Sequence, residues 1–196
     1  MTSAILAALL GFAFVTTVTP GPNNLMLMAS GANFGFRRTV PHMLGIAGGV
    51  SLMALLVGLG LMALFEALPL LGGILKVVSV LYLLWLAYKI ATAALIEVRE
   101  AKAQPMTLIQ AAAFQWINPK GWAMCLSAIT IYAPERTLLS VAIVAGAFAL
   151  VSLPAISVWA WLGTVIRRWL SSPRRLQVFN LTMAALLVAS MYPLLV

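Results

Sequence analysis

Two short polar clusters interrupt this otherwise apolar chain, and their residue types suit the binding of a small polar molecule. The first is Thr19-Pro20-Gly21-Pro22-Asn23-Asn24, and the second is Gln115-Trp116-Ile117-Asn118-Pro119-Lys120-Gly121. A proline inside a helix donates no backbone hydrogen bond and frees the carbonyl four residues earlier. Pro20 would release Thr16, Pro22 would release Val18 and Pro119 would release Gln115. Lipid cannot solvate such carbonyls, so they must face protein, water or a ligand. Lys120 sharpens the point. It lies ~13 residues into its apolar run, where a lysine costs at least ~2.5–3.5 kcal/mol to insert, so its ammonium needs a wet cavity or a partner. The candidate substrate-binding residues are therefore Thr19, Pro20, Gly21, Pro22, Asn23, Asn24, Gln115, Asn118, Pro119 and Lys120. Two plainer readings stand beside this one. Pro20, Gly21 and Pro22 also serve simply to bend a helix, and Asn23, Asn24 and Asn118 also serve as interhelical links worth roughly 0.6–2 kcal/mol each.

Other chemistries lack their parts. One cysteine, Cys125, excludes a disulfide framework and a dithiol redox pair. One histidine, His42, with four scattered glutamates and no aspartate, leaves no metal cluster, and no cofactor is called for. An integral-membrane enzyme, the alternative function, needs a nucleophile–base pair or acidic metal ligands that are hard to assemble from this inventory. The net charge of +8 does not indicate nucleic acid, because the basic residues sit in pairs at the ends of apolar runs.

The elements that hold the clusters must be membrane helices. Apolar residues make up 63% of the chain and charged residues 8%, too few to cover a soluble domain of 196 residues. The mean hydropathy is +1.07. Pro41, Pro69, Pro105, Pro134 and Pro173 fall between apolar runs and divide the chain into six segments: Ala4–Met28, His42–Leu64, Leu70–Tyr88, Thr107–Tyr132, Leu138–Ile166 and Leu176–Leu195. The expected fold is an all-α integral membrane protein, one transmembrane domain over 1–196. Pro22 and Pro119 are 97 residues apart, half the chain. Each half, about 1–97 and 98–196, then carries three spans, which inverts the second relative to the first. Broken helices 1 and 4 at matching positions of two inverted halves point to a site near the midplane.

Orientation follows from the basic residues. Alternate loops carry Arg37, Arg38, Lys89, Arg99, Lys102, Arg167, Arg168, Arg174 and Arg175 on one side and only Lys76 and Arg136 on the other. The positive-inside rule puts the nine in the cytoplasm and both termini outside it. Met1-Thr2-Ser3 has no basic side chain, so the first run reads as an uncleaved span. Glu97, Arg99, Glu100 and Lys102 read as a solvated linker between halves, and the arginines at 167–168 and 174–175 as anchors at the anionic cytoplasmic surface. Gly45 and Gly49 form a GxxxG pair for close helix packing, and with the apolar exterior they permit a homodimer. Trp85, Tyr88 and Trp169 suit interfacial belts, whereas Trp116 and Trp122 lie deeper. His42 reads as an interfacial residue with a proton-relay role as the alternative, Glu66 as solvated at an outer end, and Cys125 as a packing residue.

Together these motifs resemble the LysE/RhtB family of amino-acid exporters. The resemblance rests on Thr-Pro-Gly-Pro-Asn-Asn at 19–24, Ala-Ser-Gly at 29–31, Phe-Gly-Phe-Arg-Arg at 34–38, Gly45 with Gly48-Gly49, Leu84-Trp85-Leu86-Ala87-Tyr88-Lys89, and Phe114-Gln115-Trp116-Ile117-Asn118-Pro119-Lys120. It covers nearly the whole chain in order, less distinctly after residue 132. It implies six helices, a multi-pass position in a bacterial-type inner membrane, and export of amino acids or derivatives from the cytoplasm, coupled to protons. The family's exporters carry cysteine and O-acetylserine, lysine, threonine, homoserine or leucine. An amino acid presents a carboxylate and an ammonium. N–H groups at Gly21, Asn23 and Gly121, with Lys120, suit the former, and the carbonyls of Thr16, Val18 and Gln115, with asparagine oxygens, suit the latter. The absence of a strong anionic subsite favours a neutral substrate over a dicationic one.

Overall fold

A computed structural model describes residues 1–61, 63, 67–68, 70–96, 104–170 and 172–192, with the side chains of 71 and 93–96 set aside. Glu66, Pro69, Glu97, Arg99, Glu100 and Lys102, singled out above, and the expected span ends Leu64 and Leu195 lie outside the described residues. The described chain is helical throughout, without a strand. The helices are α1 (Ser3–Val18), α2 (Pro22–Phe34), α3 (Phe36–Leu56, continued by a π-turn at Val57–Leu61), α4 (Leu70–Ile96), α5 (Leu108–Phe114, continued by a 3₁₀ turn at Gln115–Ile117), α6 (Pro119–Tyr132), α7 (Leu138–Arg167) and α8 (Pro173–Ala189).

Short polar side chains start most of these helices by satisfying first-turn N–H groups. The Thr2, Thr137 and Ser172 hydroxyls accept from Ile5, Ser140 and Arg175 N–H. Thr107 and Gln110 form a reciprocal capping box on α5. Pro22, Pro119 and Pro173 each occupy the first turn, where the missing N–H removes no helix bond.

Among the described residues, three helices are long and apolar enough to cross a membrane: Phe36–Leu61, Gly72–Thr92 and Leu138–Arg167. A fourth span is formed if α1 and α2, bent by 58° at their break, are counted as one. The remaining helices are shorter: 14 residues in α6 and 17 in α8, with the apolar Leu108–Ile117 ahead of the second break. At a rise of about 1.5 Å per residue these fall below the ~30 Å hydrocarbon thickness taken singly. The outer surface is apolar, with Ile109, Leu70, Leu139 and Leu150 all more than 70% exposed, as lipid contact requires.

One break differs from the sequence expectation. Pro41 does not separate segments but lies inside α3. The chain turns six residues earlier, at Gly35, whose φ of 82° is open to glycine at little cost. Pro41 falls early in the helix and frees the carbonyl of exposed Arg37, where water reaches it.

Packing is organised around α2 and α7. A Cβ on Gly31 would collide with the backbone carbonyl of Ala160, and one on Gly163 with that of Met28, so both glycines set the closeness of these helices. A first core gathers Leu9, Leu27, Met53, Cys125 and Phe148 from α1, α2, α3, α6 and α7. A second gathers Met26, Leu83, Phe114 and Leu187 from α2, α4, α5 and α8. Gly45 and Gly49 pack against Leu108, Ala111, Ala112 and Gln115. Their face is filled by the helix of α5 and its 3₁₀ turn, the close packing expected of the GxxxG pair. His42 is buried within the protein, 1% exposed, and neither ring nitrogen has a hydrogen-bond partner among the described residues.

Candidate functional site at the meeting of two helix breaks

The two polar clusters, far apart in sequence, come together. The first break lets the chain run extended from Thr19 (φ −62°, ψ 147°) through Gly21 before α2 begins. The second is at Asn118 (φ −92°, ψ 108°), whose side chain accepts from the Lys120 N–H at 3.2 Å and so caps α6. Lys120 is thereby aimed back across the interface. Its Nζ donates to the Thr19 carbonyl at 2.5 Å, the Thr19 hydroxyl at 2.9 Å and the Pro20 carbonyl at 3.2 Å. Three acceptors match the three N–H groups of an ammonium. The cation is held by neutral oxygens rather than by a carboxylate.

Beside it, the amides of Asn23 and Gln115 exchange hydrogen bonds. Asn23 Nδ2 donates to Gln115 Oε1 at 2.8 Å, and Gln115 Nε2 donates back to Asn23 Oδ1 at 3.2 Å and to the Ala111 carbonyl at 2.8 Å. Asn118 Nδ2 reaches the same Gln115 oxygen at 3.4 Å. Gln115, Asn118 and Asn24 are buried, so leaving any of these amides unpaired would cost about 1–3 kcal/mol per group. Asn24 holds the first break open by donating to the Thr17 carbonyl at 2.8 Å and the Thr19 carbonyl at 2.7 Å.

A cavity of about 20 Å³ lies between the breaks, walled by Thr17, Gly21, Asn23, Asn24, Asn118, Lys120 and Gly121 and closed on its apolar side by Ile46, Val50, Met124 and Ile156. That is room for roughly one water. Two of these lining residues, Thr17 and Asn24, are buried, and their Oγ1 and Oδ1 atoms have no hydrogen-bond partner among the described residues. Thr19 and Pro20 are exposed, so the ammonium sits at the mouth of the cavity.

The three carbonyls expected to be free are occupied. Thr16 accepts from the Thr19 hydroxyl at 3.0 Å, Val18 from the Trp159 indole at 2.8 Å, and Gln115 from the Asn118 N–H at 3.1 Å. The proline breaks do release acceptors, but neighbouring donors claim those, and the carbonyls that meet a cation are Thr19 and Pro20. Of the ten candidates, Gly21, Asn23, Asn24, Asn118 and Lys120 line the cavity, Thr19 and Pro20 hold the ammonium, and Gln115 holds Asn23. Pro22 and Pro119 start the two helices. Sequence reading missed Thr17, Ile46, Val50, Met124, Ile156 and Trp159. Ile46 and Val50 are four apart on α3, a spacing that puts them on one face, but nothing in their apolar context marks which face meets a cavity. Trp116 and Trp122 pack edge to face at 6.0 Å, and the Trp122 indole donates to the Trp116 carbonyl at 2.9 Å, bracing the second break. Among the described residues no three of His, Cys, Asp and Glu come together to hold a metal.

A family model described as LysE type translocator matches residues 14–191, which include both breaks. A cysteine/O-acetylserine efflux protein of Escherichia coli is 28% identical over 190 residues, 96% of this chain and 96% of that protein. Proteins described in the same words are 28% identical in Shigella flexneri, over 96% of each chain, and in Salmonella typhimurium, over 70% of each. No solved structure matches the chain. With its family model spanning both halves and both breaks, the chain belongs to the LysE-type translocator family.

Proposed function

We propose that the protein is a secondary transporter, not an enzyme, that exports small neutral amino acids or their derivatives from the cytoplasm by alternating access, coupled to protons. Cysteine and O-acetylserine are the first substrates to test, because similar proteins are named for their efflux. The observation that carries the reading is the contact of Lys120 with Thr19 and Pro20, which joins two broken helices around a polar cavity. The substrate-binding residues are proposed to be Thr19, Pro20, Gly21, Pro22, Asn23, Asn24, Gln115, Asn118, Pro119 and Lys120.

The architecture proposed is six spans in two inverted halves of one domain, in the bacterial inner membrane with both termini outside the cytoplasm. The order of elements supports it. Each half has a helix, a break with proline at the first position of the next helix, then two longer helices. Exchanging the halves pairs α3 with α7 and α4 with α8, and each of these pairs is in extensive contact. The same exchange relates the α3–α5 contact to the α1–α7 contact, and both are present. The exchange is not exact, and its largest inequality is that α2 packs far more closely on α7 than its counterpart α6 packs on α3. Under the proposed orientation, this closes the cytoplasmic half and leaves the outer half looser, one of the two states alternating access requires.

Purified protein in liposomes loaded with labelled cysteine or O-acetylserine tests the function. Efflux accelerated by a proton gradient supports it. Chemical conversion of substrate without net flux supports the membrane enzyme instead.

A further inference from the structure

Resting on that reading, we infer that the oxygens of Thr19 and Pro20 are the seat of the substrate's own ammonium, and that substrate enters by exchanging its ammonium for that of Lys120.

The cradle is chemically indifferent to which primary ammonium it holds. Its acceptors are the Thr19 carbonyl, the Thr19 hydroxyl and the Pro20 carbonyl, arranged for three N–H donors. No carboxylate distinguishes a tethered cation from a free one. The tether does matter. Lys120 is fixed at the start of α6 by the Asn118 cap, so it meets the cradle at a high effective concentration. A free amine that evicts it gains the same three bonds and leaves a displaced ammonium without a partner, so simple amines compete poorly. An amino acid competes well because it carries the compensating group: the released Lys120 ammonium pairs with the substrate carboxylate.

Two further features fit the exchange. The cavity has room for about one water while Lys120 lies across its mouth, so an amino acid is admitted only after the side chain moves. Gly21 keeps the resting pose possible. A Cβ there would lie 2.7 Å from Lys120 Cδ and 3.2 Å from Nζ. The specificity rule that follows is a primary ammonium and a carboxylate on one small molecule. A modified amine is excluded, and a missing carboxylate is penalised only while Lys120 is present.

The test is ligand binding by full-length protein in detergent, read as the shift in thermal unfolding midpoint and by titration. The probes are cysteine, cysteamine (the same molecule without its carboxylate) and N-acetylcysteine. The parent should bind cysteine about tenfold or more tighter than cysteamine, the size of one hydrogen-bonded charge, and should not bind N-acetylcysteine. In Lys120→Met, cysteamine should gain about tenfold and cysteine should lose its advantage. Gly21→Ala pushes Lys120 aside without altering charge, and should shift the cysteamine-to-cysteine ratio in the same direction. A parent that binds cysteamine as tightly as cysteine, or variants that leave the ratio unchanged, overturns the exchange and leaves the exporter reading standing. A parent that binds neither cysteine nor any other amino acid overturns both.

Discussion

The Lys120 ammonium lies 2.5 Å from the carbonyl oxygen of Thr19, 101 residues earlier in the chain. That one contact crosses between the two halves at the point where each has interrupted its helix. A lysine in this position has no apolar substitute. Removing its charge leaves three oxygens at the mouth without their donor, and removing the break leaves the charge without its oxygens.

The amide pair beside it predicts a measurable coupling. Asn23 and Gln115 exchange two hydrogen bonds, and their double-mutant cycle to leucine should yield about 0.6–1.7 kcal/mol, the range for polar pairs between membrane helices. Unfolding in graded denaturing detergent reads this directly. Strict additivity of the two substitutions would mean that the pair does not link the halves.

The α2–α7 contact predicts a contrast between two glycines. Gly31→Ala forces a methyl against the Ala160 backbone carbonyl and should destabilise the protein by about 1–3 kcal/mol. Gly48→Ala meets nothing within 4 Å and should be neutral or stabilising by up to ~1 kcal/mol through helix propensity. Thermal unfolding in detergent checks both. Equal stability of the two variants would contradict the close approach.

How much of this was legible in the chain depends on what kind of signal each residue carries. Pro22 and Pro119 announced the breaks because proline acts locally, through backbone geometry that sequence spells out. Lys120 announced itself by the cost of its charge. The partners were another matter. That the Val18 carbonyl is taken by Trp159, and that Asn24 folds back onto Thr17 and Thr19, are consequences of three-dimensional packing. Pro41 misled for a related reason. A proline early in a helix and a proline between helices look alike in sequence, and the turn was set by Gly35 instead. The full burial of His42 on α3, close behind the exposed Arg37 and Arg38, is likewise set by packing that its neighbours in sequence do not show.

The orientation predicts a labelling pattern. Nine basic residues on one set of loops against two on the other place Thr2 outside the cytoplasm and Ser172 inside. An impermeant thiol reagent applied to intact cells should modify Thr2→Cys and spare Ser172→Cys. The native Cys125 is fully buried and should contribute little background. The reverse pattern would invert the topology, and with it the assignment of the closed α2–α7 side to the cytoplasm.

The most direct measurement is amino-acid efflux from proteoliposomes containing the parent, Lys120→Met or Lys120→Arg at matched density. Methionine keeps the apolar stem and removes the charge, so Lys120→Met should insert at least as well as the parent. The site at the two breaks predicts that it loses most export, about tenfold or more in rate. Lys120→Arg should retain partial activity, because a planar guanidinium does not reproduce a compact ammonium on the Thr19 and Pro20 oxygens. Export by Lys120→Met at the parental rate and with the parental substrate affinity would contradict the account and move the binding site away from Lys120.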